Sequence, residues 1–593
     1  MRRRKVWALV AAALVVSAAT TTAAFANHGN PSGFKTGQPS MLTPVMANTT
    51  IEPLLTVGDV LPSGYRFEAI PDGISVRTRG QGRVDLFVNH ETSKIPFPYN
   101  ATNPTAANGE NDFDNAQVSR LILNQHSAGV LSGSFVIPSS MGYQRFCSNY
   151  LATAKEGFSR DIFFTNEESP DYALRQEASW PPAIGDPAEK EAGLVVALDV
   201  KTGKHHPIHG MGRHNHENNV AIPGFDDLVV LSGDDTFTSG SLTIPAGGPI
   251  PAGTRPAQSQ LYSYIASDTD SLLADDGDLW AFVSDTPGFT DYYDFVPGST
   301  QVVTGHFIKV PKNIATGLNP DGSELKAADV GFPLPPTNGS WQLDLRVATV
   351  APGPGIDGPQ WVLEYWSQLN NVFQFVRVED IAYDKRPGME NVVYVVDSGR
   401  GTAGISQPGR STNGRVWRME LDPNDPKVVE SLTVFVEGDN NPVKTLDEVH
   451  QPDNIETTAT GLLLTEDPGS SQQFVLADQG LPNATTGRLW YVPFSGTPQV
   501  VAKVDQSADG GPTDVGLPPG STALSIGNWG AWESSGIVDA SAAFGPGAFL
   551  IDVQAHTLWV EKADGEDNFG AVGPDFTYKR EGGQLLLLRI PGI

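Results

Sequence analysis

The 593-residue sequence predicts an all-β protein, a β-propeller of six to seven blades with long loop insertions. Three observations predict this fold. The 62 Gly and 46 Pro residues interrupt the chain at short intervals. The apolar runs are short, and few have the period of an amphipathic helix. One pattern recurs along the chain: an apolar run that ends in acids, followed by an apolar run flanked by Gly or Lys.

The recurring pairs of apolar runs predict the middle strands of the blades. The acid-ended runs are 84–91, 161–168, 227–235, 391–399, 461–467 and 547–553. The runs that follow them are 117–124, 193–203, 260–266, 414–422, 487–494 and 582–590. The runs 278–285 and 305–312 form a candidate seventh pair. Repetition of such a unit is typical of propeller blades.

Shorter strands with polar first residues precede many of these pairs. They are 146–154, 216–222, 378–384, 452–458 and 536–542. We expect them to be the innermost strands of one propeller domain over residues 27–593, with insertions near 100–115, 236–258 and 313–370. The alternative is a series of β-sandwiches.

The N-terminus has the pattern of an export signal. Four basic residues, 2–5, precede the apolar run 6–16 and the A-x-A site Ala24-Phe25-Ala26. The apolar run is too short to span a membrane. We therefore expect residues 1–26 to be a signal peptide cleaved near Ala26, and the protein to be secreted, or extracellular at the cell surface.

The charge and the single Cys exclude several kinds of partner. The formal net charge is −29, which argues against nucleic acid and anionic membranes as partners. One Cys excludes an internal disulfide framework. The excess of carboxylates favours hard cations such as calcium. We expect a monomer without membrane insertion.

Acids at the ends of strands are expected to collect at one mouth of the channel. In antiparallel neighbours, the start of the first strand lies beside the end of the second. The heads of the innermost strands carry Cys147, Glu217, Asn218, Glu379, Asp380, Asp453, Asn454 and Asp539. The ends of the second strands carry Asn89, Glu91, Glu167, Glu168, Asp234, Asp235, Asp397, Glu466 and Asp467. Oxygen ligands suit calcium, and a thiolate adds a preference for iron or zinc.

Each of these residues also has a structural interpretation. An acid that follows a strand commonly binds nearby backbone N–H groups. His90 and His216 are equally well explained as hydrogen-bonded structural residues, and the spacing of His205, His206, His214 and His216 matches no familiar zinc pattern. Cys147 alone could be a small buried apolar residue. The convergence of separate repeats is the argument for a site.

The order of these motifs resembles the PhoX-type alkaline phosphatases over residues from about 85 to 470. The matching segments are 89–91 (NHE), Cys147, 166–168 (NEE), 212–217 (GRHNHE), 233–235 (GDD), 377–379 (R-x-E) and 452–454 (PDN). The chain departs from the family at Ser148-Asn149-Tyr150, where a Gly-rich stretch is usual, and at Val378, where Pro is usual.

The resemblance implies a secreted phosphomonoesterase with iron and calcium in its site. A small-molecule phosphate ester would be its substrate. Arg377 would be catalytic, and Arg377 and Asn89 would bind substrate. The implied metal ligands are Cys147, Glu91, Glu167, Glu168, Glu217, Asp234, Asp235, Glu379 and Asp453.

Two other functions fit the same sequence features. The first is a calcium-dependent lactonase or organophosphate hydrolase that uses Glu217, Asn218, Asp453, Asn454 and Asp539, with calcium alone as cofactor. The second is an exported propeller that binds a partner without catalysis and whose metal site is structural. Replacement of Cys147 separates the first alternative from the phosphatase.

Overall fold

The structure is a computed structural model. It describes residues 32–68, 70–91, 116–169, 172–174, 189–236, 242–255, 258–337, 341, 355–399, 413–438, 447–467, 485–505, 532–561 and 576–593. The predicted signal peptide therefore lies outside the described residues.

The described strands form a six-bladed β-propeller. Blade 1 contains β3 (Pro71–Gly80), β4 (Arg83–His90), β5 (Gln117–Asn124) and β6 (Val130–Ile137). Blade 2 contains β7 (Phe146–Ala152), β8 (Ile162–Glu167), β11 (Val195–Asp199) and β12 (His205–Ile208). Blade 3 contains β13 (His216–Ile222), β14 (Leu228–Asp234), β17 (Leu261–Ala266), β18 (Asp278–Ser284) and β19 (Val303–Lys309).

The other three blades repeat the same antiparallel order. Blade 4 contains β20 (Val378–Tyr383), β21 (Val392–Asp397), β22 (Arg415–Asp422) and β23 (Asp425–Glu437). Blade 5 contains β24 (Pro452–Thr457), β25 (Gly461–Glu466), β26 (Arg488–Pro493) and β27 (Gln499–Val504). Blade 6 contains β28 (Glu533–Asp539), β29 (Ala548–Glu561) and β30 (Phe576–Arg589).

The innermost strands close a ring around one axis. Strand β3 packs against β7, β7 against β13, β13 against β20, β20 against β24, β24 against β28, and β28 against β3. Two N-terminal strands complete the last blades: β1 (Leu42–Pro44) pairs with β27, and β2 (Thr50–Thr56) pairs with β30. The N-terminal region thus supplies the outermost strand of blade 6.

The candidate seventh pair belongs to blade 3. Residues 278–285 and 305–312 supply β18 and β19, at the outer edge of that blade. Strand β19 pairs in turn with β23, which joins blades 3 and 4 into one nine-stranded sheet. The interpretation of these runs as a separate blade is therefore wrong, because they extend an existing sheet outward.

The connections between these strands carry the remaining described elements. Two hairpins are formed by β9 (Tyr172–Leu174) with β10 (Glu189–Glu191), and by β15 (Leu242–Ile244) with β16 (Gly253–Arg255). The helices are α1 (Thr269–Leu273), α2 (Lys312–Thr316), α3 (Pro359–Leu369) and α4 (Ser541–Phe544). Short 3-10 helices occupy Ser139–Met141, Ala154–Glu156, His209–Met211, Tyr292–Asp294 and Ala327–Val330. None of these helices is long and apolar enough to cross a membrane.

Apolar clusters fill the gaps between neighbouring blades. Side chains alternate between the two faces of a strand, so each second strand contributes to both of its gaps. In β25, Leu463 packs toward blade 6, whereas Leu462 and Leu464 pack toward blade 4. This double-sided burial explains why the second strands read as continuous apolar runs in the sequence.

Candidate metal centre at one mouth of the channel

A β-bulge recurs near the start of every described innermost strand. In β3, Pro71 pairs with His90 and Ile74 with Val88, so one extra residue is inserted in the inner strand. The same one-residue shift occurs in the other inner strands, between 146 and 149, 216 and 219, 378 and 381, 452 and 455, and 534 and 537. Bulges are known to redirect side chains next to functional sites.

In blades 1 to 5, each bulge places one acidic or thiol side chain at the same mouth of the channel. The second residue of the inner strand is Asp72, Cys147, Glu217, Glu379 and Asp453 in blades 1 to 5. In blades 1 and 2, the residue that follows the second strand, Glu91 or Glu168, lies beside them. We call these seven residues the axial cluster.

Three groups of ligand atoms overlap within the axial cluster. The first is Asp72, Glu91 and Cys147, and within each group all ligand atoms lie within 4.8 Å of one another. The second is Cys147, Glu168 and Glu217. The third is Glu217, Glu379 and Asp453. Because Cys147 belongs to the first two groups and Glu217 to the last two, the groups form a continuous row across five blades.

The thiol of Cys147 lies among carboxylates. Burial raises the pKa of this thiol well above its usual value, and the charges of Asp72, Glu217, Glu168 and Glu91 raise it further. A thiolate would therefore be strongly disfavoured without a positive charge beside it. A bound metal ion supplies that charge, since metal coordination deprotonates a thiol.

A nearby positive charge would likewise stabilise the ionised carboxylates of the axial cluster. Burial and neighbouring carboxylates raise the pKa of Glu168, Glu217, Glu379 and Asp453 well above their usual values. Two oxygen ligands at 2.3–2.6 Å from one calcium ion lie at most about 5 Å apart. The spacing within each group therefore fits bound cations. The sulfur in two groups suits a transition metal such as iron or zinc, and the all-oxygen third group suits a hard cation such as calcium.

A layer of hydrogen bonds orients the central carboxylate. Ser148 Oγ donates to Glu217 Oε1 over 2.7 Å, and Asn454 Nδ2 donates to Ser148 Oγ over 2.8 Å. Asn166 Nδ2 donates to the backbone oxygens of Ser148 and Glu217. Ser398 Oγ likewise donates to Glu379 Oε1. Such outer hydrogen bonds fix ligand orientation in metal sites.

Arg377 lies at the edge of the axial cluster, with its side chain 15% exposed. Its Nε and Nη2 donate to Asp235 Oδ1 and Oδ2 over 2.8 and 2.6 Å. Nη2 is also 3.0 Å from Glu379 Oε1. One edge of the guanidinium is therefore held by Asp235, which serves as the partner of Arg377 beside the metal-ligand groups.

Two of the predicted ligands point away from the axial cluster. Glu167 accepts backbone N–H groups from Gln144 over 3.0 Å and from Leu194 over 3.1 Å. Asp234 accepts from Thr236 Oγ1 over 2.9 Å and lies 3.8 Å from His214 Nδ1. Each is the last residue of its strand, and strand alternation turns it to the side opposite its neighbour. Their expected place in the shared metal site is corrected accordingly.

Asn89 contacts the backbone of the bulge in blade 2. Its Nδ2 donates to the carbonyl oxygens of Cys147 and Ser148, so the side chain holds the turn that presents Cys147. Its role in substrate binding stays a prediction.

His90 and His216, for which the sequence left structural and ligand roles open, each use both ring nitrogens in hydrogen bonds. His90 binds the Glu68 oxygen and Ser119 Oγ, and His216 binds Ser232 Oγ and the Gly212 oxygen. Burial lowers the pKa of each imidazole to about 3, so both are neutral. The three ligand groups found among the described residues contain no histidine.

The first innermost strand, β3, and its candidate ligand Asp72 are not among the residues predicted from the sequence. Asp72 follows Pro71 at the head of β3, just as Asp453 follows Pro452 at the head of β24. The shared Pro-Asp-x-Ile pattern in 71–74 and 452–455 was the available signal. In blade 6 the inner strand begins at Glu533, so Asp539 is its last residue. The prediction that Asp539 lies at the same mouth as the axial cluster is therefore wrong.

The opposite end of the channel is an open cavity of about 450 Å³. Its lining includes Asp539, Lys155, Lys385, Glu156 and Tyr383. Asn218 and Asp380, joined by a hydrogen bond, lie at the boundary between this cavity and the axial cluster. The two mouths thus have different chemistry.

Comparison with known proteins gives no family. No family model matches the sequence, and no curated protein matches it. Among solved structures, a polysaccharide lyase described as an ulvan lyase is 7% identical, with 88% of this chain and 91% of that chain covered and a TM-score of 0.30. The acylaminoacyl peptidase of Pyrococcus horikoshii is 9% identical, with 73% of this chain and 52% of that chain covered and a TM-score of 0.21. At these scores neither match assigns an activity to the chain.

Proposed function

We propose that the protein is a secreted, metal-dependent phosphomonoesterase with iron and calcium at the axial cluster. One observation carries the proposal: the single thiol of the chain, Cys147, belongs to two ligand groups that share it with four carboxylates. A mixed sulfur and oxygen donor set suits iron beside calcium. The sequence resemblance to PhoX-type alkaline phosphatases supports the same assignment.

Different residues of the axial cluster would bind the two kinds of metal. Cys147 with Asp72, Glu91, Glu168 and Glu217 would hold iron. Glu217, Glu379 and Asp453 would hold calcium. When bound, the metals would supply Lewis acidity toward the phosphate oxygens and lower the pKa of a water nucleophile. Binding of the metals would displace the protons of the thiol and of the carboxylates whose pKa is raised.

Arg377 would position the phosphate group. Its Nε and Nη2 lie against Asp235 and Glu379, which holds the guanidinium beside the ligand groups where a phosphate oxygen would bind. Asp235 fixes the plane of the guanidinium, which reduces the entropy lost on substrate binding. Because recognition depends on the phosphate group, we expect low selectivity for the leaving group.

The all-oxygen third group supports a second candidate function. Glu217, Glu379 and Asp453 could hold calcium without sulfur, as a calcium-dependent lactonase or organophosphate hydrolase requires. In that case Cys147 would be incidental to activity. Asp539 does not contribute, because it lies at the opposite mouth.

The test compares wild-type protein with Cys147→Ser. The metal content of the purified exported protein is measured first, and a chromogenic phosphate monoester and a chromogenic lactone are then assayed. We expect iron with calcium, phosphatase turnover, and loss of both iron and turnover in Cys147→Ser. Lactone hydrolysis that survives the substitution supports the second function. A full complement of metal with no hydrolysis supports a non-catalytic binding protein.

A further inference from the structure

Asp552 is a buried carboxylate whose two oxygens have no hydrogen-bond partner among the described residues. It lies on β29, the second strand of blade 6, and its side chain is completely buried. The charged groups that act on it most strongly are all acids, namely Asp72, Glu533 and Glu91. A buried carboxylate in such surroundings requires either a proton or a cation.

A second buried oxygen for which the described part of the chain offers no partner lies on the same face of β29. Gln554 is two residues from Asp552, so both side chains point to the same side of the sheet. The Oε1 atom of Gln554 is buried and accepts no hydrogen bond from the residues that the structure describes, whereas its Nε2 donates to Ser535 Oγ over 3.1 Å. Ser535 Oγ in turn donates to Asp72 Oδ1. This hydrogen-bond chain connects blade 6 to blade 1.

The position is the seam where the propeller ring closes. The bulge of β28 packs so closely on β3 that a Cβ atom at Gly536 would lie 2.6 Å from the Asp72 carbonyl oxygen. The neighbouring Leu550 faces the same gap between blades 1 and 6. Asp552, Gln554 and Asp72 therefore come from the first and last blades of the ring.

We propose that a hard divalent cation of the calcium class binds between Asp552, Gln554 and Asp72, with Glu533 nearby, and joins the last blade to the first. All the donors are oxygens, which suits calcium and disfavours softer metals. The site contains no sulfur and extends the row of ligand groups beyond Asp72 into blade 6. This proposal does not rest on the phosphatase activity.

The test uses calcium stoichiometry and thermal stability of the full chain. Metal-free protein is titrated with calcium, and bound calcium per chain and the melting temperature are measured for wild type and Asp552→Asn. We expect Asp552→Asn to bind one calcium fewer and to lose part of the calcium-dependent rise in melting temperature. The matched control is Asp539→Asn, an acid of the same blade at the opposite mouth, which should match wild type.

Gln554→Glu provides a second test that does not depend on the folding of Asp552→Asn. With a cation present, the added carboxylate should tighten calcium binding and increase the calcium-dependent rise in melting temperature. Unchanged calcium stoichiometry in Asp552→Asn, or a Gln554→Glu variant that is destabilised equally with and without calcium, overturns the proposal. Iron content and ester hydrolysis are measured separately. Failure of the proposed phosphatase function can therefore be distinguished from failure of the proposed calcium site at Asp552.

Discussion

The guanidinium of Arg377 and the carboxylate of Asp235 form a two-point ion pair, with Nε 2.8 Å from Oδ1 and Nη2 2.6 Å from Oδ2. The pair joins the residue after β14 in blade 3 to the residue before β20 in blade 4. It places a positive charge beside Glu379, one of the carboxylates of the axial cluster. The geometry assigns Asp235 to the orientation of Arg377 rather than to the three ligand groups.

Breaking this pair should destabilise the protein. Arg377→Met leaves the buried Asp235 without its partner, and removal of one member of a buried ion pair costs about 3–5 kcal/mol. Asp235→Asn should cost less, because Arg377 keeps Glu379 as a partner. The double variant should be more stable than Arg377→Met alone. Urea unfolding of metal-free protein measures all three, and additive losses in the double variant would contradict the pairing.

Shared and unshared ligands should differ in their effect on metal content. Glu217 belongs to two ligand groups, whereas Glu91 belongs to one. We therefore expect Glu217→Gln to lower the metal content at two of the ligand groups. Glu91→Gln should lower the metal content at only one. Elemental analysis of the purified variants measures this, and the control is Glu456→Gln, because Glu456 lines the cavity at the opposite mouth. Equal losses in the two variants would argue against a row of linked groups.

Glu191 should make stability depend on pH between about 4.5 and 8. Burial, and then the charge of Glu324, raise the pKa of this carboxyl from 4.5 to about 8, and its Oε2 accepts the N–H of Gln360 at the start of α3. Between these values the folded protein binds more protons than the unfolded chain, so the free energy of unfolding falls as pH rises. The slope for one proton is about 1.4 kcal/mol per pH unit.

Glu191→Gln removes this titration and keeps an oxygen acceptor for Gln360. We expect the variant to lack that part of the pH dependence and to exceed wild type in stability above pH 8. Urea unfolding at several pH values provides the comparison. A constant difference between the two proteins from pH 5 to pH 8 would show that Glu191 is ionised throughout.

Replacement of the structural histidines should leave the metals in place. Both ring nitrogens of His216 are hydrogen-bonded, as are those of His90. His216→Asn should cost about 1–3 kcal/mol through buried groups left without partners. Iron and calcium content should match wild type in the folded variant. A specific loss of metal would place the imidazole in the ligand set instead.

The blades could be predicted from the sequence because strands buried on both faces appear in it as continuous apolar runs. Second strands such as β21 and β25 have continuous apolar runs, and each neighbouring gap is filled by alternate residues of the same strand. The outermost strands are half-exposed and gave weaker signals, as in β6 and β12. Strands β18 and β19 misled for the opposite reason, because a fifth strand in one blade has the same pattern as a new blade.

The site was harder to predict than the fold. At the end of a strand, a shift of one residue decides whether a side chain faces the axial cluster or the opposite side. Glu167 and Glu168 are adjacent, yet only Glu168 joins the axial cluster. The bulge decides which residue of each inner strand reaches the axis, and no composition rule marks its position. Asp72 was missed because β3 lies before the first recognised pair. Asp552 was missed because its neighbours in 547–553 are apolar.

The most direct test of the central claim is the metal content of wild-type and Cys147→Ser protein, measured together with visible absorption. The account predicts iron and calcium in the wild type and an absorption band from thiolate bound to iron. In Cys147→Ser, the band and the iron should be lost while calcium at Glu217, Glu379 and Asp453 is retained. Wild-type protein without iron, or a Cys147→Ser variant with unchanged iron, would contradict a metal centre built around this sulfur.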